Sequence, residues 1–171
     1  MQSNVDKALA LANKGDTTKL EIVFDGQVVS SGEKIEKNVA HATPQLNLMN
    51  GEPGTYIAIC LDLDAPVVSF PFLSPILHWL HPNLESHGVG SIFKENTPSL
   101  VDWLAPTPPP FSGAHRYMFV VYKQPSTWDN EQWKARFTKP MGVWKRVSWY
   151  LDKFVKEATL GDPIAASYLY V

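Results

Sequence analysis

The chain has 171 residues, of which 44% are apolar and 19% charged, and its net charge is −2. This length is typical of one domain, here residues 1–171, and the apolar content excludes an intrinsically disordered protein. The small negative charge argues against a nucleic-acid-binding protein, and the lack of an apolar run of about 18 residues argues against an integral membrane protein. The single cysteine, Cys60, excludes an intramolecular disulfide framework and a four-cysteine zinc site.

The N-terminal segment predicts a short helix and not a secretory signal. Its apolar residues fall on one helical face: Val5, Ala8, Leu9 and Ala12. Ser3 and Asp6 form a capping-box pattern, and Gly15 is the expected end of the helix. Because the segment contains acidic residues and lacks a basic start and an apolar stretch, we expect a cytoplasmic protein.

Strand patterns dominate the middle of the chain. An alternating apolar run over 20–24 leads into Asp25-Gly26, which is typical of a β-hairpin. The strongest strand, 55–61, is apolar on both faces and is expected at the centre of a sheet, with Cys60 as a buried packing residue. Further strands are expected at 76–80, 116–122 and, as an edge strand, 168–170. With helices at both ends, this pattern predicts a mainly β sandwich or barrel.

Two helices are predicted near the C-terminus. The first carries Trp133 and Phe137 and is capped by Ser126 or Thr127, and the second is an amphipathic helix over 143–158. Upstream, five prolines lie within 98–110 and predict a stiff, extended surface loop. This loop is either a ligand for another protein or a rigid wall beside a pocket.

Polar residues at strand ends are the candidates for chemistry. If the strand continues past residue 61, Asp62 and Asp64 lie on the same face of it. Two carboxylates so placed repel each other unless a cation, a hydrogen-bond donor or a proton lies between them. The alternative is that both are solvated acids in a turn at the end of the strand. His78 lies within an apolar run and is either a hydrogen-bonded core residue or a residue of a functional site. His81 follows three residues later, which in a strand places it on the opposite face, so the two histidines are not expected to share a metal ion. A glycine-containing turn delivers His115 to a strand, as a ligand-facing imidazole or a surface histidine.

Five basic residues within 132–151 have no acidic residue among them: Lys134, Arg136, Lys139, Lys145 and Arg146. They form either a solvated surface or a docking patch for an acidic partner or phospholipid head groups.

Two motifs, in order, resemble the phosphatidylethanolamine-binding protein (PEBP) family. The first is Asp-Leu-Asp-Ala-Pro at 62–66, followed by His78-Trp79 sixteen residues after Asp62. The second is Pro-Pro-Pro-Phe-Ser-Gly-Ala-His-Arg-Tyr at 108–117. The similarity extends over roughly residues 20–160.

The resemblance implies a sandwich of two antiparallel sheets, here with an N-terminal helix and C-terminal helices, and a small pocket that binds phosphate or carboxylate groups without metal or cofactor. The pocket residues it implies are Asp62, Asp64, Pro66, His78, Pro108, Pro109, His115 and Tyr117. Two imidazoles can donate N–H bonds to an anion while a carboxylate fixes their tautomers. If the protein is an enzyme, Asp62, His78 and His115 are the candidate catalytic residues.

Three departures from the family pattern change the expected ligand. Leu63 replaces a proline, Phe111 replaces a glycine, and the segment 67–75 carries no charge where the family usually has an arginine. The mouth of the pocket should therefore be apolar, which favours a small acid with a hydrophobic body over a phospholipid head group.

The sequence thus predicts a PEBP-like protein that binds a small anionic ligand. One alternative is an enzyme or enzyme accessory acting on a small acid or anhydride in fungal-type secondary-metabolite biosynthesis. Another is a protease or kinase inhibitor that contacts its protein partner through the five basic residues.

Overall fold

The computed structural model describes residues 2–14, 20–137 and 139–171. These residues form three α-helices: α1 (Asn4–Lys14), α2 (Asn130–Arg136) and α3 (Leu151–Glu157). They also form nine strands: β1 (Leu20–Phe24), β2 (Gln27–Val29), β3 (Gln45–Leu48), β4 (Gly54–Asp62), β5 (Ile76–Ser86), β6 (Ser91–Ile92), β7 (Lys94–Glu95), β8 (Arg116–Lys123) and β9 (Ala165–Tyr170). Within the described ranges, every helix is too short or too polar to cross a membrane.

The strands form two antiparallel sheets. Among the described residues one sheet has the order β2-β1-β3-β6 and the other has the order β7-β5-β4-β8-β9. β4 lies at the centre of the larger sheet and β9 at its edge, as the sequence predicts. The hairpin at Asp25-Gly26 joins β1 to β2. The expectation of a mainly β fold with two antiparallel sheets and helices at both ends is confirmed.

Both faces of the larger sheet are covered. Ile57, Ile59 and Leu61 of β4 pack toward the three helices. The alternate residues Ala58 and Cys60 pack toward the smaller sheet. This alternation explains why the sequence of β4 is apolar throughout, because a strand covered on both faces has no solvent side. Burial raises the pKa of the Cys60 thiol, and the charge of Asp62 acts in the same direction.

The helix starts follow their capping residues. At α1, Ser3 and Asp6 exchange hydrogen bonds, as the capping-box pattern predicts, while the expected stop at Gly15 lies outside the described residues. At α2 the predicted caps, Ser126 and Thr127, are wrong. Asp129 is the cap, because its carboxylate accepts from the backbone N–H groups of the first helical turn.

The predicted continuous helix over 143–158 is also wrong. A 3-10 turn spans Val143–Lys145, and α3 begins only at Leu151. The intervening backbone pairs with the segment that enters β5: the Ser148 N–H donates to the Leu73 carbonyl at 3.0 Å and the Trp149 N–H to the Pro75 carbonyl at 2.8 Å. These donors are therefore unavailable for helical bonds, and tertiary pairing overrides the helical periodicity.

The proline-rich segment 98–110 is not a simple surface loop. Leu100 and Val101 are buried, and Val101 exchanges backbone hydrogen bonds with Leu80 of β5. The Leu104 N–H donates to the His78 carbonyl at 2.9 Å. The segment is therefore held against β5, a position that fits the alternative of a rigid wall beside a pocket.

Candidate ligand-binding site

A cavity of about 210 Å³ opens where β4 ends and β5 and β8 begin. The three strands are antiparallel neighbours, so these strand ends lie side by side at one end of the larger sheet. The lining of the cavity comprises Asp62, Ala65, Pro66, Leu73, Ile76, His78, Leu104, Thr107, Pro108, Pro109, His115, Tyr117 and Val143. Seven of the eight residues that the sequence assigns to a pocket lie in this lining.

Asp62 and His115 form a buried pair in the cavity. The Nδ1 atom of His115 lies 2.9 Å from Oδ2 of Asp62, and Oδ1 of Asp62 accepts the backbone N–H of Asp64 at 2.8 Å. Both carboxylate oxygens are thus engaged, which fixes the carboxylate and orients the imidazole. The other ring nitrogen of His115, Nε2, is buried and makes no hydrogen bond to any described residue. A buried polar atom of this kind is unusual and points to a missing partner.

His78 owes its position to a β-bulge. Cys60 pairs with Trp79 and Leu61 pairs with Leu77, so His78 is the extra residue of β5. A bulge of this kind re-aims a side chain next to a site. Nδ1 of His78 lies 2.6 Å from the Leu104 carbonyl oxygen, and burial lowers the pKa of His78 more than this hydrogen bond and the charge of Asp62 raise it. His78 is therefore not only a core histidine: it lines the cavity as well.

Tyr117 completes the polar side of the cavity. Its ring makes an edge contact with that of His78, with centroids 5.0 Å apart. Burial raises the pKa of Tyr117, and the charge of Asp62 raises it further, so the phenol stays neutral. A hydrogen bond to the Asp62 carboxylate contributes to the raised pKa, so the neutral phenol donates its O–H to Asp62.

Asp64 does not line the cavity, contrary to the sequence expectation. β4 ends at Asp62, so the alternation of a strand does not extend to Asp64. Its carboxylate accepts hydrogen bonds from Nε and Nη2 of Arg116 at 2.9 and 2.7 Å and from the Arg116 backbone N–H at 2.8 Å. Asp64 therefore holds the start of β8, next to His115, and does not line the cavity.

Many of the exposed apolar side chains lie on segments that also supply lining residues of the cavity. Within the described ranges ten large apolar side chains are exposed, and seven of them belong to three segments near the cavity: Val68, Phe70, Phe72, Phe111, Val143, Trp144 and Tyr150. The segments 67–75 and 108–114 are joined by a bond from the Val68 N–H to the Ser112 carbonyl at 3.1 Å. Gly113 permits this approach, because a Cβ there would lie 3.0 Å from Val68. These segments thus carry exposed apolar side chains beside residues that line the cavity.

The five basic residues do not form one unpaired face. Three of them pair with carboxylates, in part from distant segments: Lys134 with Glu131 at 2.6 Å, Arg136 with Glu157 at 2.7 Å, and Lys139 with Asp102 at 2.6 Å. Arg146 is buried and donates to the carbonyls of Met141, Leu77, His78 and Asp102. The alternative of a docking patch stays a prediction, in which Arg146 is buried and three of the other residues have acidic partners.

The sequence did not reveal the apolar lining residues. Leu73, Ile76 and Leu104 line the cavity and lie within two positions of a proline in the sequence. Their closeness to the proline-rich segments could have indicated that they belong to the pocket wall. Val143 had no such signal, because the sequence assigns it to a helix whose stripe faces the core.

The motifs have a counterpart in known proteins. The family described as phosphatidylethanolamine-binding protein matches residues 25–168. The chain belongs to this family.

Individual relatives have different names. The chain is 28% identical over 160 residues to "Phomoidride biosynthesis cluster protein N" of Talaromyces stipitatus, covering 84% of this chain and 78% of that protein. It is 27% identical to "Protein TERMINAL FLOWER 1" of Arabidopsis thaliana, covering 89% and 78%.

Solved structures share the fold at lower identity. A carboxypeptidase Y inhibitor, solved with its cognate proteinase, matches with a TM-score of 0.72 and 22% identity over 90% of this chain and 82% of that one. A phosphatidylethanolamine-binding protein from Plasmodium vivax matches with a TM-score of 0.68 and 16% identity, over 90% and 84%.

Proposed function

We propose that this protein binds a small acid whose head group enters the cavity and whose apolar body lies against the mouth. The observation that carries the proposal is Nε2 of His115, which is buried at the cavity without a partner among the described residues while Nδ1 is held by Asp62. The cavity volume of about 210 Å³ accommodates a head group and a few carbon atoms, and larger ligands extend onto the aromatic mouth.

A ligand screen by thermal shift and calorimetry tests this proposal. Acetate, hexanoate, phenylacetate, inorganic phosphate and phosphoethanolamine are compared on the wild type, on His115→Ala and on His87→Ala. His87 is exposed and lies outside the cavity, so its variant is the matched control. A ligand at 100 times its Kd stabilises the folded state by about 2.7 kcal/mol, so weak binders are detectable.

The expected result is a preference for hexanoate and phenylacetate over acetate, which His115→Ala abolishes and His87→Ala preserves. Binding of these acids that survives in His115→Ala would place the ligand elsewhere and reject the proposal.

The apolar mouth has its own test in Val143, which lines the cavity and is half exposed. We expect Val143→Ser to weaken binding of phenylacetate about fivefold and to leave acetate unchanged, because it removes about 1 kcal/mol of apolar contact. Val89→Ser, at an exposed valine outside the cavity, is the control. Equal losses for both acids would show that the mouth does not contact the ligand body.

A second candidate function is action on such an acid, or on its anhydride, in secondary-metabolite biosynthesis. Two observations favour it: the relative with a biosynthetic name, and the carboxylate–imidazole pair, an arrangement suited to general acid–base catalysis. Turnover of a model alkyl anhydride should then fall at least 100-fold in Asp62→Asn and His115→Gln. Unchanged turnover in both variants would reject catalysis while leaving the binding proposal intact.

A further inference from the structure

A separate cavity lies between the end of α2, the segment 145–150 and α3, and is called the helical cavity below. Its volume is about 290 Å³. The described residues that line it are all different from those that line the cavity of Asp62 and His115. The helical cavity is therefore a distinct space, which the proposed function does not use.

Aromatic side chains form much of the wall of the helical cavity. The ring centroid of Trp133 lies 5.1 Å from that of Phe154 and 6.3 Å from that of Phe137. The Trp149 ring packs on Phe154 at 5.2 Å, and Tyr150 contributes a ring that is 68% exposed. Aromatic ligands gain offset or edge contacts with rings of this kind, so the wall suits a flat, aromatic ligand body.

The segment 145–150, on one side of the helical cavity, is anchored to the larger sheet and to the strand that leads into it. The Ser148 N–H donates to the Leu73 carbonyl at 3.0 Å. The buried Arg146 donates to two backbone carbonyls of β5. Because these bonds hold the wall in place, a ligand does not have to order it on binding, which favours affinity.

The lining of the helical cavity carries an excess of positive charge. Three bases, Arg136, Lys145 and Lys153, line it together with one carboxylate, that of Glu157, which leaves an excess of two positive charges. Nη2 of Arg136 lies 2.7 Å from Oε2 of Glu157, and Nζ of Lys153 lies 4.0 Å from Oε1 of the same carboxylate. The surrounding sequence does not offset the excess, since residues 132–151 include no acid. A group with two negative charges matches this lining.

Arg136 connects the aromatic and the charged parts of the helical cavity. Its guanidinium carbon lies 4.7 Å from the centroid of the Trp133 ring, a cation–π contact that orients the planar group. A guanidinium has five N–H donors, more than the single bond to Glu157 uses. Arg136 can therefore donate to an anion whose ring lies against the same aromatic wall.

We propose that the helical cavity is a second ligand site, which binds an aromatic ring carrying a doubly charged group, as in an aryl phosphate. The ring packs against the aromatic wall, and the phosphate oxygens accept from Arg136, Lys145 and Lys153. A phosphate monoester fits because it carries close to two negative charges above its second pKa of about 6. This inference goes beyond the proposed function and does not depend on it.

Four probes separate the contribution of charge from that of the ring. Phenyl phosphate has both features, phenyl sulfate keeps the ring with one charge, cyclohexyl phosphate keeps the charge without aromaticity, and inorganic phosphate lacks a ring. Calorimetry at about pH 8 compares them as dianions, the sulfate excepted. We expect phenyl phosphate to bind at least about fivefold more tightly than each of the others. Its affinity should fall as salt is added, because ions screen the exposed charges.

Two pairs of variants test the lining. Lys153 and Lys156 are both exposed lysines of α3, but Lys156 lies outside the lining. Lys153→Ala should weaken phenyl phosphate binding at least about fivefold, and Lys156→Ala less than about twofold. Tyr150 and Trp144 are both exposed, and Trp144 lies outside the lining. Tyr150→Ser should weaken phenyl phosphate about threefold and leave inorganic phosphate unchanged, whereas Trp144→Ser should leave both unchanged.

Indole ¹H–¹⁵N resonances locate the ligand in the unmodified protein. Trp133 and Trp149 line the helical cavity, whereas the Trp103 ring contacts His78 of the other cavity, with centroids 6.3 Å apart. Phenyl phosphate should shift the resonances of Trp133 and Trp149, and these shifts should persist in His115→Ala.

The outcomes separate this inference from the proposed function. A shift of the Trp103 resonance alone, with an affinity that Lys153→Ala does not change, would overturn the inference and retain the proposed function. Equal binding of all four probes, or no binding of phenyl phosphate at millimolar concentration, would also overturn the inference. The indole resonances of the wild type decide the question even if a variant does not fold.

Discussion

Asp62 and Asp64 are two residues apart in the sequence, yet the fold gives them different partners. Asp62 orients His115 at the cavity, whereas Asp64 is paired with Arg116 and holds the start of β8. The identity of a residue and its distance along the chain did not distinguish these roles. What separates them is the end of β4 at Asp62, which the sequence places only approximately.

The Asp64–Arg116 pair makes a prediction about acid stability. Burial alone would raise the pKa of Asp64, but the hydrogen bonds and the charge of Arg116 together lower it below its ordinary value. A carboxyl with a lowered folded pKa contributes stability above its unfolded pKa of about 4 and loses it as the pH falls through the folded value. In Arg116→Gln burial dominates instead, and the pKa of Asp64 should rise above its ordinary value.

Arg116→Gln should therefore cost about 2 kcal/mol of unfolding free energy at pH 7. The cost should shrink as the pH falls through the folded pKa of Asp64, because the protonated carboxyl loses its charge-assisted pairing with Arg116. Urea denaturation across a pH series from 7 downward measures it. Lys123→Gln is the control, since Lys123 is exposed and lies 3.9 Å from its partner carboxylate. A cost for Arg116→Gln that does not vary with pH would show that the pairing is not the cause.

At the scale of elements, the sequence predicts strands better than helices. The strand 55–61 is confirmed because its apolar run matches a position buried on both faces. The prediction of a helix over 143–158 is wrong although the apolar periodicity is present, because backbone N–H groups of this segment donate to the carbonyls of Leu73 and Pro75. A local pattern cannot anticipate bonds to a segment 70 or more residues away. For the same reason, the sequence does not predict that Val143 lines the cavity.

The loop 108–114 contains a second departure from local preference. Phe111 has a φ of +65° and is fully exposed. The left-handed region costs a non-glycine residue about 1–2 kcal/mol, partly offset by the greater freedom of glycine in the unfolded chain. We expect Phe111→Gly to be more stable than Phe111→Ala by about 1 kcal/mol in urea denaturation. Both variants remove the ring, so equal stability would exclude backbone strain.

At the scale of the whole molecule, the larger sheet connects two apolar cores. Its strands send alternate side chains toward the helices and toward the smaller sheet, as Ile59 and Phe119 illustrate. The sequence predicts the two sheets and the helices, but not that the helices cover the outer face of the larger sheet. That arrangement depends on contacts between residues far apart in the chain, which periodicity does not encode.

The shared strands predict a single cooperative unfolding transition. Ile59→Ala and Phe119→Ala each remove buried atoms from one core and should each lower the unfolding free energy by about 3–4 kcal/mol. Because the same strands bound both cores, both variants should unfold in one step, with coincident near- and far-ultraviolet circular dichroism. Two separated transitions in either variant would show that the cores unfold independently.

The central claim is that an acid binds between His78 and His115, and long-range ¹H–¹⁵N correlation spectra of the imidazoles test it most directly. The account predicts that His78 carries its proton on Nδ1, toward the Leu104 carbonyl, and that the Nε2 resonance of His115 shifts when phenylacetate is added. A His78 ring protonated on Nε2, or a His115 ring whose nitrogens do not change while the ligand binds, would contradict it.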